Sequence, residues 1–287
     1  MTTKNYLSIY AKSFNWSGFF LPKKIYNKCS VLYDFCRTLD NIADQNKDLE
    51  IKKKELGQFR NKFEQKNQDD SVIKNMWDLM NEKNISKKIV EDLFDGINSD
   101  LKKEVKIETE KELLIYSYRV AGTVGLMMAK IFGVKKKESL QRAIDLGIAM
   151  QLTNIARDVV EDEKKNRVYL IKSSNDAFKN IKNIILKADS FYESSFEGIK
   201  DIPLSSRFSI IVARRVYRQI VKKILIKKDI ESYREAGKIY VSNIGKIIQT
   251  LFSLKDMIIL FFIKNSKYEK EIEYNLINED ISLNERI

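Results

Sequence analysis

Two prolines and ten glycines are spread over 287 residues, and that thin punctuation limits what the chain can build. Sheets need turn residues every few positions, so so few breakers favour long helices joined by short loops. Periodicity agrees. From Pro22, which suits the first turn of a helix, the apolar residues Ile25, Leu32, Phe35, Leu39 and Ile42 recur at helical spacing to about residue 45. Shorter amphipathic helices are expected near about 50–66, 71–82 and 86–101. One over about 108–133 carries Gly122 and Gly125, which weaken or bend it midway. The clearest helix covers about 137–163, with Ile144, Ile148, Leu152, Ile155 and Val159 in one apolar stripe. Further helices are expected over about 175–199, 204–228, 229–251 and 254–264, with Pro203 opening one. No repeat, Ser/Gly linker or composition shift divides the chain. The expectation is one all-α domain over 1–264 and a polar tail, 265–287, that frays.

Composition closes off several chemistries. With no histidine, His-based acid–base work, Ser-His-Asp or Cys-His nucleophiles and His-rich metal sites are excluded. The two cysteines, Cys29 and Cys36, supply neither a four-cysteine zinc site nor a disulfide framework, and a reducing compartment fits. Lys and Arg total 52 against 40 Asp and Glu, a net charge of +12. That charge suits an anionic substrate or an anionic membrane surface. No reading motif and no basic stripe interleaved with aromatics accompanies it, so no nucleic-acid partner is expected. The N-terminal stretch has no signal-peptide apolar region, which implies a cytoplasmic protein. The longest apolar run, Met257–Ile263, falls short of the roughly 20 residues that span a bilayer. Packing on the core is expected for it ahead of peripheral membrane contact.

Two acidic rows stand out. Tyr33, Arg37, Asp40 and Asp44 fall within an arc of about 60° on the first long helix, at about 100° per residue. Asn154, Asp158, Glu161 and Asp162 share an arc of about 100° on the 137–163 helix, with Gly147 and Gln151 one and two turns earlier. Each row borders apolar or small residues instead of the lysines that crowd the rest of the chain. A single Asp-x-x-x-Asp is ordinarily a solvated patch; two rows on separate helices, if they face one another, converge hard oxygen ligands on one space. Carboxylates and an amide oxygen suit Mg²⁺, which completes its shell with water and phosphate oxygens. Arg37, Arg157 and Arg167 adjoin the rows and answer the repulsion such a pocket would exert on phosphate.

These segments resemble the phytoene/squalene synthase family. The resemblance is carried, in order, by Ser13-Phe14, the run Tyr33–Asp44 (YDFCRTLDNIAD), the run Tyr116–Gly125 (YSYRVAGTVG), the run Gln151–Asp162 (QLTNIARDVVED) and Asn166–Leu170 (NRVYL). It covers about residues 10–250 and is nearest to bacterial phytoene synthases. Asn41 stands where the family usually has a second adjacent acid, Tyr10 where it commonly has histidine, and Ile171 where proline usually follows.

The resemblance implies an isoprenoid-synthase helical bundle with a central cavity between two aspartate-rich helices. It implies head-to-head condensation of two geranylgeranyl diphosphates, through a cyclopropyl diphosphate, to phytoene in carotenoid biosynthesis. Mg²⁺, or Mn²⁺ in its place, is then expected on Asp40, Asp44, Asn154, Asp158, Glu161 and Asp162, with no need of NADPH. Asp40, Asp44, Asp158, Asp162, Tyr33 and Arg37 are the expected catalytic set. Substrate contacts are expected from Ser13, Phe14, Arg37, Tyr118, Gly122, Val124, Gly125, Gln151, Asn154, Arg157, Arg167, Tyr169, Lys238 and Tyr240. The alternatives are a squalene or dehydrosqualene synthase acting on farnesyl diphosphate, and a non-catalytic helical protein that binds prenyl lipids or a partner.

Overall fold

Pro22 sits at the N-terminal boundary of helix α2 (Lys23–Asp44), which buries Leu32, Phe35 and Leu39 along one side. The computed structural model describes residues 12–264 and 266–287, with side chains from residue 15 onward. Tyr10 and the side chains of Ser13 and Phe14 therefore lie outside the described residues. Before α2 comes the short α1 (Lys12–Gly18). After it follow α3 (Leu49–Glu64), α4 (Ser71–Lys83) and α5 (Lys87–Ser99). Asp70 caps α4 by accepting from the backbone N–H groups of Val72 and Ile73, which satisfies donors that a helix start leaves open.

The segment with two glycines is interrupted, as its composition implies. It runs as α6 (Glu110–Ser117), one π-helical turn (Tyr118–Gly122) and α7 (Thr123–Phe132). The long α8 (Lys137–Glu163) is the spine, packed against α7, the π turn, α9 (Ala177–Gly198) and α10 (Leu204–Leu225). Glycines let these backbones approach. A Cβ on Gly125 would meet the Ala143 carbonyl oxygen at 2.2 Å, and one on Gly147 the Ala121 carbonyl oxygen at 2.2 Å. All-α architecture is thus the observed class, relieved only by a two-residue parallel pairing of β1 (Val105–Lys106) with β2 (Arg167–Val168) among the described residues.

Two expectations are corrected downstream of α10. The helices expected over 229–251 and 254–264 are instead a short α11 (Ile230–Glu235) and one unbroken α12 (Asn243–Phe262). Gly237, with φ +59°, turns the chain between them, and Ser242 caps α12 through the Gly245 N–H. The tail is not frayed. It forms α13 (Glu271–Ile281), which buries Tyr274, Ile277 and Ile281, and beyond it Arg286 donates to both Asp92 oxygens at 2.9 and 3.1 Å. Those apolar residues recur at i, i+3 and i+7, a docking stripe hidden among acids.

Candidate active site

Asp40 and Asp44 lie one turn apart on α2, and Asn154, Asp158 and Asp162 lie one turn apart along α8. The two rows confront each other. Lys165 Nζ and Arg167 Nη1, from the segment that follows α8, donate to Asp44 Oδ1 at 3.2 and 3.0 Å. Asp40, Tyr33, Gln151 and Asn154 line one cavity of about 370 Å³. Its lining follows α8 from Asn154 back to Ser139, a path of about 22 Å at 1.5 Å per residue. Away from the acids the walls are apolar, with Val120, Val124, Met128, Leu146, Met150 and Ile210. A charged mouth opens onto a greasy interior.

Charge is distributed unevenly within the mouth. Burial, and beyond it the neighbouring carboxylates of Asp44 and Asp100, push Asp40 up to about 6 although Arg37 opposes the shift. Burial and the Asp158 carboxylate likewise push Asp162 up to about 7, against Arg167 and Lys165. Asp44 is different: burial works against its ionisation, but Lys165 and Arg167 outweigh it and hold the carboxyl below its usual range. Asp158 receives a bidentate clamp from Arg157, at 2.7 and 2.5 Å, and Lys238 Nζ lies 3.2 Å away. Burial raises the Tyr33 phenol to about 12, keeping it protonated as a donor beside Arg37 and Asp40.

One carboxylate of the site escaped the sequence reading. Asp100, just past the end of α5, lines the cavity and accepts from Tyr169 Oη at 2.7 Å and Tyr116 Oη at 3.1 Å. The two phenol rings stack at 4.7 Å. Burial raises the Asp100 carboxyl, with Tyr169, Arg167 and Tyr116 opposing and Asp44 adding to the rise. The β1–β2 pairing explains how these groups meet. By pairing Val105 with Arg167, it holds the 166–170 segment so that Arg167 reaches Asp44 and Tyr169 reaches Asp100. The stretch YSYRVAG did point to Tyr116 as part of an ordered motif, but nothing in spacing ties it to Asp100.

Most of the expected site residues do gather here. Val124, Gly125, Gln151 and Asn154 line the cavity, and Arg157, Arg167 and Tyr169 bear on the acids directly. Lys238 bridges Asp158 and Glu161, the latter at 2.6 Å, and Tyr240 is exposed and electrostatically coupled to Arg157. Tyr118 and Gly122 are corrections. The Tyr118 phenol is fully buried and donates to Asp92 at 2.9 Å, inside the pairing with Arg286. Gly122 packs under the Tyr118 ring and Ile144. Both serve the packing of the π turn against its neighbours.

Among the described residues, no three carboxylate, cysteine or histidine side chains converge tightly enough to form a ready-made metal cage. The donor chemistry still fits a hard divalent cation that brings other oxygens with it. Asn154 Oδ1 is buried with no hydrogen-bond partner, an acceptor left open. Asp40 and Asp162 resist ionising because they are buried and face other carboxylates. Glu161 is tied to Lys238 at 2.6 Å.

A long-helix bundle whose acid-rich rows close the mouth of an apolar cavity has the architecture of the all-α isoprenoid synthases. Comparison narrows this. The family described as Squalene/phytoene synthase matches residues 8–180. The 15-cis-phytoene synthase of Pantoea ananas is 30% identical over 247 residues, 76% of this chain and 80% of that protein. That of Enterobacter agglomerans is 38% identical over 139 residues, 42% of this chain, and the matched part spans about half (47%) of its length. A solved dehydrosqualene synthase in complex with ligand superposes with a TM-score of 0.69 at 26% identity, covering 87% of this chain and 93% of that one. The chain belongs to the squalene/phytoene synthase family.

Proposed function

We propose that this chain condenses two geranylgeranyl diphosphates head to head, through a cyclopropyl diphosphate, to phytoene. The observation that carries the reading is that Asp40 of one row and Asn154 of the other line one largely apolar cavity, while Lys165 and Arg167 reach from beyond α8 to Asp44. Likeness to phytoene synthases at 30–38% identity supports phytoene as the product. In this reading Asp40, Asp44, Asn154, Asp158 and Asp162 hold Mg²⁺, whose charge offsets the charge that grows on a departing diphosphate. Arg37, Arg157, Arg167 and Lys238 bind the diphosphate oxygens and add fixed positive charge where it is needed. Val120, Val124, Leu146 and Met150 hold the tails and exclude water, which would otherwise trap an allylic cation as an alcohol. The first substrate ionises, the double bond of the second attacks the allylic cation, and loss of a proton to the released diphosphate, from the carbon that bore it, closes the cyclopropane. That intermediate then ionises, rearranges and loses a proton, with released diphosphate as the acceptor. In this reading the neutral Tyr33 phenol donates to a diphosphate oxygen and does not serve as a base.

Squalene or dehydrosqualene formation from farnesyl diphosphate is the second reading, favoured by the solved dehydrosqualene synthase. Offering each diphosphate separately with Mg²⁺, with and without NADPH, and identifying products by chromatography and mass spectrometry decides between them. Phytoene from the longer substrate without NADPH is expected. Neither hydrocarbon nor cyclopropyl diphosphate, beside an active control enzyme, ends the proposal.

A further inference from the structure

Helix α12 is built inside out. Its inward positions are mostly polar: Lys246, Ser253 and Asp256 are buried, while Gln249 and Thr250 are half-buried. They are used by the body of the protein. Arg215 grips Asp256 with two bonds of 2.5 and 2.6 Å, and Trp16 Nε1 donates to Thr250 Oγ1 at 3.0 Å. The outward positions carry the apolar residues instead. Ile244, Leu251, Phe252, Ile258, Phe261 and Phe262 are all more than half exposed, with Phe262 at 80%. A helix on a water-facing surface normally has the opposite arrangement. Twenty residues make a face about 30 Å long, well beyond the scattered apolar residues that soluble surfaces tolerate.

The same exposed character continues onto the neighbouring loop. Phe19 is 76% exposed, and Phe20 stacks edge-on against Phe208 of α10 at 5.1 Å. Gly18 and Leu21, on either side of these two, line the cavity. The apolar surface thus begins where the cavity wall ends.

The charge on the outward side of α12 and directly beside it is positive. Lys255 is the single charged residue among its outward positions, Lys264 follows its C-terminal end, and Lys23 and Lys24 follow Phe19 and Phe20. Asp256, the acid of α12, is turned inward onto Arg215. We propose that this face seats the protein on the surface of an anionic lipid bilayer. Apolar side chains enter the boundary between headgroups and acyl chains, and the lysines meet lipid phosphates. A second copy of the chain fits the face poorly, because pairing α12 with α12 brings lysine to lysine with no acid to answer it. The inference is read from α12 and its flanks, independently of the reaction.

The test is flotation of the full chain with vesicles of phosphatidylcholine alone and of phosphatidylcholine with phosphatidylglycerol. Wild type is expected to float with the anionic vesicles. Leu251→Ser with Phe262→Ser lowers the bound fraction at least tenfold, with an unchanged far-ultraviolet spectrum and melting temperature. Lys255→Glu lowers it severalfold on anionic vesicles. Equal recovery with and without vesicles overturns the proposal, as does a double variant that floats like wild type. A wild-type dimer that fails to float, and that the double variant converts to monomer, assigns the face to a second copy and also overturns it. Flotation requires no turnover, so its failure and the failure of the proposed reaction are distinguishable.

Discussion

The two acid rows are alike in composition and unlike in how their charge is managed. Each has at least one carboxylate held by cations and one acid left short of them. On α2 the outer Asp44 is held, and its cations, Lys165 and Arg167, come from beyond the end of α8. On α8 it is Asp158 that is held, by Arg157 of the same helix and by Lys238. The acids left short, Asp40 and Asp162, are the ones pushed up to about 6 and about 7. The α2 row is therefore clamped from across the mouth, whereas the α8 row carries its own clamp. Under the proposed function, a cation arriving with diphosphate would meet the least competing positive charge at Asp40 and Asp162, leaving Arg157, Arg167 and the lysines to bind phosphate.

Removing a held acid should do the most damage if this division is right. Asp158→Ala is expected to lower kcat on the order of 10³-fold while circular dichroism shows the fold intact, since a charge-stabilising group is lost from the leaving-group end. Asp44→Ala, which removes the held acid of the α2 row, should match it. Near-normal turnover by Asp158→Ala would separate the α8 row from the chemistry.

The acids left short make a different, pH-dependent prediction for metal-free protein. Their folded pKa values lie above the unfolded value of 3.8, so between about pH 4 and pH 7 the native state holds more protons than the unfolded one. Stability then falls as pH rises through that window, and the loss is complete above about pH 8. Asp40→Asn and Asp162→Asn should each raise stability at pH 8 by roughly one to a few kcal/mol and change little at pH 4. Asp100→Asn should give a smaller gain, having removed one of the repelling charges. Millimolar Mg²⁺ with inorganic diphosphate should raise the wild-type Tm at pH 8, and do so less in the Asp40→Asn, Asp162→Asn double variant. A wild-type Tm that rises steadily from pH 5 to 8 without metal contradicts the assignment.

Why one row was easier to read than its surroundings is a matter of range. Spacing along a single helix predicted α2 and α8 nearly to the residue, because 3.6-residue periodicity is a local property. It also placed Asp40, Asp44, Asn154, Asp158 and Asp162 on coherent faces. That the faces meet came from resemblance, and the geometry that joins them is long-range. Asp100 precedes Tyr169 by 69 positions and sits in an unremarkable loop. The β1–β2 pairing is too short to leave a sequence pattern, yet it positions Arg167 and Tyr169. Tyr118 misled because motif membership says nothing about which way a π turn aims a ring. The 265–287 segment misled because its stripe of Tyr274, Ile277 and Ile281 is diluted by acids, and Arg286 finds Asp92 only in three dimensions.

The smallest effects sharpen the comparison by separating the two clamps. Lys165 is half exposed and shares Asp44 with the better-buried Arg167. Its loss should change stability by no more than about 0.5 kcal/mol, as for other exposed pairs, and activity less than about twofold. Lys238 bridges two carboxylates of the α8 row, Asp158 at 3.2 Å and Glu161 at 2.6 Å. Lys238→Ala should raise KM severalfold with kcat nearly kept, the signature of lost binding common to ground and transition states. Steady-state kinetics on both variants decides the matter. If Lys165→Ala were the more damaging, the crossing clamp on α2 would be the one that substrate depends on, and the division drawn between the rows would reverse.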